Sequence, residues 1–115
     1  MAHLRIALLA ALAAALGAVP LAAQSPRSAG LGQGIELFNA GMYDKALPVF
    51  RAAAADPAAE ASRPSALLYL AKSAMSAGEL DEAAAGLDAC LSRYPKSPEA
   101  QEALYQKGRL LYMQG

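Results

Sequence analysis

The chain has 115 residues, which is the size of one small domain. Its apolar fraction is 56%, and thirty of its residues are alanine, so closely packed helices are favoured over a sheet. The formal charge is zero, which gives no indication of nucleic acid or of an acidic surface as a partner.

The first 23 residues have the pattern of a secretory signal peptide. Arg5 precedes an apolar run over Ile6–Val19, and Pro20 and small residues follow it. We predict cleavage after Ala23. The run is shorter than the roughly 20 residues that span a bilayer, which favours a cleaved signal over a retained anchor. We therefore expect export to the periplasm or cell envelope, with membrane contact only through this segment if it is uncleaved.

A short flexible linker, residues 24–29, is expected to separate the signal from a helical region at residues 30–115. In that region the phrase GMYDKAL, from Gly41, returns as GELDEAA from Gly78, 37 residues later, and 37 further residues lead to Gly115. A period of this length is typical of stacked repeats. We delimit the units as about 28–60, 64–97 and a partial unit at 98–115.

Each unit is predicted to form two helices. Gly78 ends the first helix of the second unit, because glycine readily adopts the left-handed conformation found there. Asp81 and Glu82 then suit the positive end of the next helix dipole, and Pro95 ends that helix. Ser97-Pro98-Glu99 predicts a further helix start, with a capping serine and proline at the first helical position.

Matching positions across the units define the repeat. The first helices carry a small residue near their middle, where a larger side chain would hold the paired helices apart: Gly34, Ala71 and Gly108. Glycine ends each first helix, at Gly41, Gly78 and Gly115. The second helices match at three apolar positions, which are Tyr43, Ala46 and Phe50 in one unit and Leu80, Ala83 and Leu87 in the other.

This succession of a small residue, a large apolar residue, Gly, an apolar residue, an acidic pair and Ala resembles the tetratricopeptide repeat over about residues 28–115. The resemblance implies an all-α fold, in which antiparallel helix pairs stack as a short right-handed α-solenoid. The 37-residue period and the phrase LSRYPKSPEAQEALYQKGRLLYMQG are similar to bacterial envelope members, both the YbgF-like (Tol-Pal-associated) and the BamD-like repeats. No lipid-carrying cysteine follows the signal and no coiled-coil stretch precedes the repeats, so the resemblance implies only the fold and a scaffold role.

The sequence gives little support for catalysis, and we expect no enzyme, cofactor or metal site. His3 is the only histidine and lies in the predicted signal, so the commonest general base is missing. There is neither a phosphate-binding loop nor a Cys/His cluster for zinc. The acidic pairs, such as Glu99 and Glu102, are interpreted as helix-start residues on a solvated face. Cys90 is interpreted as a small buried residue rather than an intermolecular thiol.

The resemblance implies that the first helices line a groove for a peptide or helix of a protein partner. The groove positions are then Leu31, Ile35, Phe38 and Asn39; Leu68, Lys72, Met75 and Ser76; and Tyr105, Arg109, Tyr112 and Met113. The predicted partner contacts are Phe38, Asn39, Lys72, Met75, Ser76, Arg109 and Tyr112. Tetratricopeptide proteins that bind the terminal carboxylate of a partner use Lys and Asn where this chain has Leu31 and Ile35. The resemblance therefore does not extend to binding of a terminal carboxylate. The alternative to partner contact is a solvated face for Lys72 and Arg109, and stacking against a next helix for Tyr105 and Tyr112.

The third unit contains the pattern of a first helix, about residues 98–114, without a second one. We therefore expect Leu104, Gly108 and Leu111 to remain partly open to water. One hypothesis is a secreted interaction module, with possible self-association through this open helix. The alternative is the N-terminal structural part of a longer, truncated array whose working region lies downstream.

Overall fold

The structure, a computed structural model, describes residues 26–115, with side chains described from Gly30 onward. The α-helices in this range are α1 (Pro26–Asn39), α2 (Tyr43–Ala55), α3 (Arg63–Ala77), α4 (Leu80–Arg93) and α5 (Pro98–Gln114), and a 3-10 turn (Glu60–Ser62) precedes α3. No strand occurs between residues 26 and 115. The predicted all-α repeat fold is confirmed.

The helix starts refine two predictions. Because α1 begins at Pro26, residues 26–29 belong to the first helix rather than to a flexible linker. Ser97 occupies the position before α5, but its hydroxyl donates to the Tyr94 carbonyl oxygen (2.7 Å) and makes no capping bond to the helix. The predicted signal, residues 1–23, lies outside the described residues. Between residues 26 and 115 no helix has the length and apolarity required to span a membrane.

The helices form a stack in which each contacts the next along the chain. The α1–α2 and α3–α4 pairs are the two complete repeats, and α2 joins them through extensive contact with α3. Helix α3 also contacts both α1 and α5. The first helices of the repeats therefore lie side by side, with α3 in the centre.

The turns between paired helices depend on glycine. Gly41 and Gly78 have φ angles of +77° and +83°, which L-residues with a side chain rarely adopt. At Gly78 the amide donates to the Met75 carbonyl (3.2 Å), and the Glu79 amide donates to the Ala74 carbonyl (2.8 Å). These bonds satisfy the last carbonyls of α3, so the predicted glycine helix ends are confirmed.

Small residues allow the paired helices to approach closely. A Cβ at Gly34 would lie only 2.5 Å from Cε1 of Phe50, whose ring is fully buried in the core. In the second repeat, Ala71 is fully buried, and a Cβ at Gly86 of α4 would lie 3.4 Å from the Ala71 Cβ. The prediction of close helix contact is confirmed at Gly34 and Ala71.

The same prediction is wrong for Gly108. Among residues 26–115, no heavy atom beyond its own helix backbone and chain neighbours lies within 4 Å of the position that its Cβ would take. The repeat position matches, but no helix among residues 26–115 covers this face of α5. A side chain at Gly108 therefore meets open space.

The core follows the predicted repeat positions. Phe50 and Leu87 are fully buried, together with Ala46 and Ala83 from the same helices. Cys90 is also fully buried, and burial raises the pKa of its thiol above the ordinary value. The interpretation of Cys90 as a core residue is confirmed.

Candidate functional site

A cleft of about 160 Å³ lies between the three first helices. Its lining combines apolar side chains with polar and cationic ones: Phe38 from α1, Lys72, Met75 and Ser76 from α3, and Gln106, Arg109 and Met113 from α5. On α5 these residues follow intervals of three and four, so they share one face of that helix. The stacking of α1, α3 and α5 brings together side chains that are more than 70 positions apart in sequence.

Lys72 is held in place by all three helices. Its Nζ lies 2.9 Å from Oε1 of Glu102 on α5. The same nitrogen lies 5.3 Å from the ring centroid of Phe38 and 5.0 Å from that of Tyr69, which is within cation–π range. The Phe38 and Tyr69 rings meet edge to face at 5.4 Å. Lys72 thus connects the helices that form the cleft, and its charge interacts mainly with Glu102 and the two aromatic rings.

Arg109 has a charge that no carboxylate of the described residues neutralises. Its Nη1 donates to Oε1 of Gln106 (3.0 Å), and Gln106 is itself almost fully buried, so this bond orients the guanidinium. No carboxylate lies within ion-pair distance of Arg109 in the part of the chain that the structure describes. An exposed guanidinium with free donors can bind a ligand's carboxylate through two parallel hydrogen bonds.

The remaining lining is apolar and adaptable. Met75 is almost fully buried at the floor of the cleft, whereas Met113 is half exposed at its edge. Methionine side chains are flexible and polarisable, so they can adjust to ligands of different shape. Together with Phe38 they offer a small apolar surface directly beside the free charge of Arg109.

Five of the seven residues predicted to contact a partner line this one cleft: Phe38, Lys72, Met75, Ser76 and Arg109. Asn39 is exposed and lies outside the lining. Tyr112 lies with Tyr105 and Gly108 in an adjoining shallow depression, which shares Arg109 and Met113 with the cleft. Leu68, which was assigned to the groove by position, is buried instead.

Two further residues differ from their predicted roles, and one residue of the cleft was not predicted. Leu31 and Ile35 pack against the core rather than lining the cleft. Gln106 was not predicted, although it stands three residues before Arg109 and therefore on the same helix face. This three-residue spacing could have identified Gln106 as a cleft residue from the sequence.

Glu82 and Glu99 bind side chains of neighbouring helices. Glu82 accepts two hydrogen bonds from Arg51 of α2 (2.6 and 2.7 Å), which hold the pKa of its carboxyl below the ordinary value. Glu99 accepts a hydrogen bond from Ser65 (3.1 Å). No group of three metal-ligating side chains occurs in the described range. Glu82 and Glu99 thus lie in the first turns of α4 and α5, as predicted, and they also bind side chains of α2 and α3.

Comparison with known families agrees with the repeat assignment. The family model described as Tetratricopeptide repeat matches residues 31–98 and, in a second placement, residues 70–115. The second placement begins within α3, so the two matches are shifted along the chain by about one repeat. No curated protein and no solved structure gives a significant match.

Proposed function

Since this chain belongs to the tetratricopeptide repeat family, whose repeats typically bind other proteins, we propose that it is a non-enzymatic scaffold of the bacterial cell envelope or periplasm. Its partner is a peptide or helix that lies in the cleft between α1, α3 and α5. The observation that carries this proposal is the convergence of Phe38, Met75 and Arg109, each from a different first helix, on one cleft.

The lining indicates the chemistry of the ligand. The small volume and the Phe38, Met75 and Met113 surface suit one apolar side chain, whose burial favours binding. The unneutralised guanidinium of Arg109 suits an acidic group beside that side chain. Lys72 contributes little to this preference, because it is already paired with Glu102. The preferred ligand therefore combines an apolar residue with a neighbouring Asp or Glu.

A peptide selection tests this function. The isolated chain is used to select binders from a random peptide library, and the affinity of enriched peptides is measured by fluorescence anisotropy. We expect enrichment of apolar residues next to Asp or Glu. Ser76→Arg, which places a long side chain in the cleft, should weaken binding by about ten-fold or more, and Arg109→Gln should selectively weaken binding of the acidic peptides.

The matched control is Ser92→Arg. Ser92 is an exposed serine on α4, which does not line the cleft, so the same substitution there should leave affinity unchanged. Equal affinity of the Ser76→Arg and Ser92→Arg variants would contradict binding in the cleft. Thermal melts of both variants verify that they fold.

The envelope location is supported by the pattern of residues 1–23 and by the 37-residue period. Intact-mass analysis of protein from the periplasm of an expressing bacterium tests it. We expect a chain that begins at Gln24. A chain that retains Met1, or that fractionates with membranes, would contradict a cleaved signal.

A further inference from the structure

The side chain of Gln106 lies between two opposite charges of the cleft. Its Oε1 accepts a hydrogen bond from Nη1 of Arg109 at 3.0 Å, and its Nε2 donates to Oε1 of Glu102 at 3.5 Å. The same Glu102 oxygen lies 2.9 Å from Nζ of Lys72. One chain of polar contacts therefore runs from Lys72 on α3 through Glu102 and Gln106 to Arg109 on α5.

The amide of Gln106 has only one favourable orientation in this chain of contacts. A guanidinium has hydrogen-bond donors only, and a carboxylate has acceptors only. The reverse orientation would place the amide NH2 against the guanidinium and the amide oxygen against the carboxylate, so both contacts would be repulsive. Because Gln106 is only 5% exposed, water has little access to replace these contacts. The two charges thus fix the amide, and the amide in turn fixes the guanidinium.

The preceding repeat uses the same position to hold the cation three residues later. Tyr69 stands 37 residues before Gln106, and Lys72 stands 37 residues before Arg109. The Tyr69 ring centroid lies 5.0 Å from Nζ of Lys72. An aromatic ring and a neutral amide both support a cation without cancelling its charge. Gln106 thus supports Arg109 as Tyr69 supports Lys72.

We propose that Gln106 is a positioning residue that makes the cleft selective for one acidic group. This inference rests on the proposed function, because it concerns the same cleft. The chain of contacts contains two cations and one carboxylate, so one positive charge remains. The neutral amide separates the charge of Glu102 from Arg109 and holds the guanidinium for the ligand. A carboxylate in place of this amide would neutralise Arg109, and the preference for an acidic ligand would be lost.

Two capped peptides test this role on the full chain as isolated from the expressing bacterium. One contains Leu followed by Asp and the other contains Leu followed by Asn, in otherwise identical sequences. Both are titrated into the isotope-labelled protein and followed by NMR. For the unsubstituted protein we expect about ten-fold tighter binding of the Asp peptide, through one charge-assisted pair. This ratio of affinities should decrease as salt is added, because salt screens the attraction.

Two substitutions in the chain of contacts should act in opposite directions. Gln106→Glu hardly changes the side-chain volume, but its carboxylate is ionised beside Arg109. It should weaken binding of the Asp peptide by about ten-fold and leave the Asn peptide within about two-fold, so that the salt dependence of the ratio disappears. Glu102→Gln should strengthen binding of the Asp peptide by about two- to five-fold, because Lys72 becomes a second free cation. Damage to the fold would weaken both peptides alike.

Glu99→Gln is the matched control for Glu102→Gln. It removes the same charge one turn earlier on α5, but Glu99 contacts Ser65 rather than Lys72, so both affinities should stay within about two-fold. Thermal melts verify that the variants fold. Glu102 is exposed, so Glu102→Gln still decides the question if Gln106→Glu does not fold.

A preference for the Asp peptide that Gln106→Glu retains would overturn this inference and leave the proposed function standing. Equal affinity of the unsubstituted protein for the two peptides, or equal effects of Glu102→Gln and Glu99→Gln, would have the same consequence. Failure of both peptides to bind the unsubstituted protein would contradict the proposed function itself, and this inference with it.

Discussion

Gly34 and Gly108 occupy the same position in their repeats, but they differ in what surrounds them. The Cβ position at Gly34 is within 3 Å of three atoms of the Phe50 ring, whereas that at Gly108 has no described atom beyond its own helix backbone within 4 Å. Because the Phe50 ring is fully buried in a packed core, it has no space into which it can move. The requirement for glycine thus comes from the covering helix rather than from the repeat position alone.

This difference gives a paired prediction. Gly34→Leu should lower the free energy of unfolding by about 1–3 kcal/mol, because the new side chain overfills the contact with Phe50. Gly108→Leu should leave the melting midpoint unchanged or raise it, because leucine favours helix over glycine by roughly 0.8 kcal/mol. Thermal and urea melts of both variants provide the measurement. Similar destabilisation by the two substitutions would contradict the open face on α5.

Ser73 provides a second test at the residue scale. Its hydroxyl is fully buried and has no hydrogen-bond partner among residues 26–115. A buried polar group without a partner costs about 1–3 kcal/mol. Ser73→Ala should therefore stabilise the protein by about 1 kcal/mol more than Ser76→Ala, an exposed control on the same helix that has the same change in helix propensity. Urea unfolding measures both, and net destabilisation by Ser73→Ala would mean that the hydroxyl is bonded.

At the scale of the helices, the glycine turns set where each helix ends and the next one starts. Gly78 closes α3 with φ +83°, and α4 begins two residues later at Leu80. This abrupt turn places α4 against α3, so that Gly86 can lie on Ala71. Loss of the left-handed conformation would change both the helix end and the pairing.

The turn is tested by substitution of two glycines. Gly78→Ala should destabilise the protein by about 1–2 kcal/mol, because a side chain is strained at positive φ. Gly32→Ala is the control, since Gly32 lies within α1 and no described atom beyond its own helix backbone lies within 4 Å of its Cβ position. It should stabilise the protein by about 0.5–1 kcal/mol through helix propensity. In circular dichroism melts we expect Gly78→Ala to lower the melting midpoint and Gly32→Ala to raise it. A shift of the midpoint in the same direction for both variants would contradict the assigned roles.

At the scale of the whole molecule, ion pairs connect helices that belong to different repeats. Arg51 joins α2 to α4, Lys72 joins α3 to α5, and Lys107 joins α5 to α4. These pairs lie on the surface, where water and salt weaken them, so each contributes little to stability. They align successive repeats, whereas burial of apolar residues supplies most of the stability.

The Arg51–Glu82 pair predicts a pH dependence. Its hydrogen bonds lower the pKa of Glu82 in the folded chain below the ordinary 4.5. As the pH falls, the Glu82 carboxyl is therefore protonated at a higher pH in the unfolded chain than in the folded chain. The contribution of the pair to the free energy of unfolding is fully present above about pH 4.5 and is lost as the pH falls through the pKa of Glu82 in the folded chain. Glu82→Gln should flatten this acid part of the stability curve, as measured by urea unfolding at a series of pH values.

Glu36→Gln is the control for this prediction. Glu36 is exposed on α1 and forms no ion pair with the described residues. The acid part of its stability curve should follow that of the unsubstituted protein. An unchanged curve for Glu82→Gln would contradict a stabilising role of the pair.

The sequence by itself determined the helices and their repeat. Gly41 and Gly78, the three- and four-residue spacing of apolar positions, and the 37-residue period are local or periodic signals, and they were sufficient to predict the all-α stack and the burial of Phe50, Leu87 and Cys90. The assignment of Phe38, Lys72 and Arg109 to a groove came from the resemblance to the tetratricopeptide repeat. Helical periodicity adds only which positions share one face of a helix.

Only the tertiary structure decided which of these positions are covered and which charges are free. Lys72 and Arg109 look alike in sequence, but Glu102 from another helix neutralises Lys72, whereas no described carboxylate reaches Arg109. Gly34 and Gly108 match in the repeat, but only Gly34 meets a ring. Burial and ion pairing depend on side chains delivered by a different helix, and the pattern within one helix contains no information about that partner.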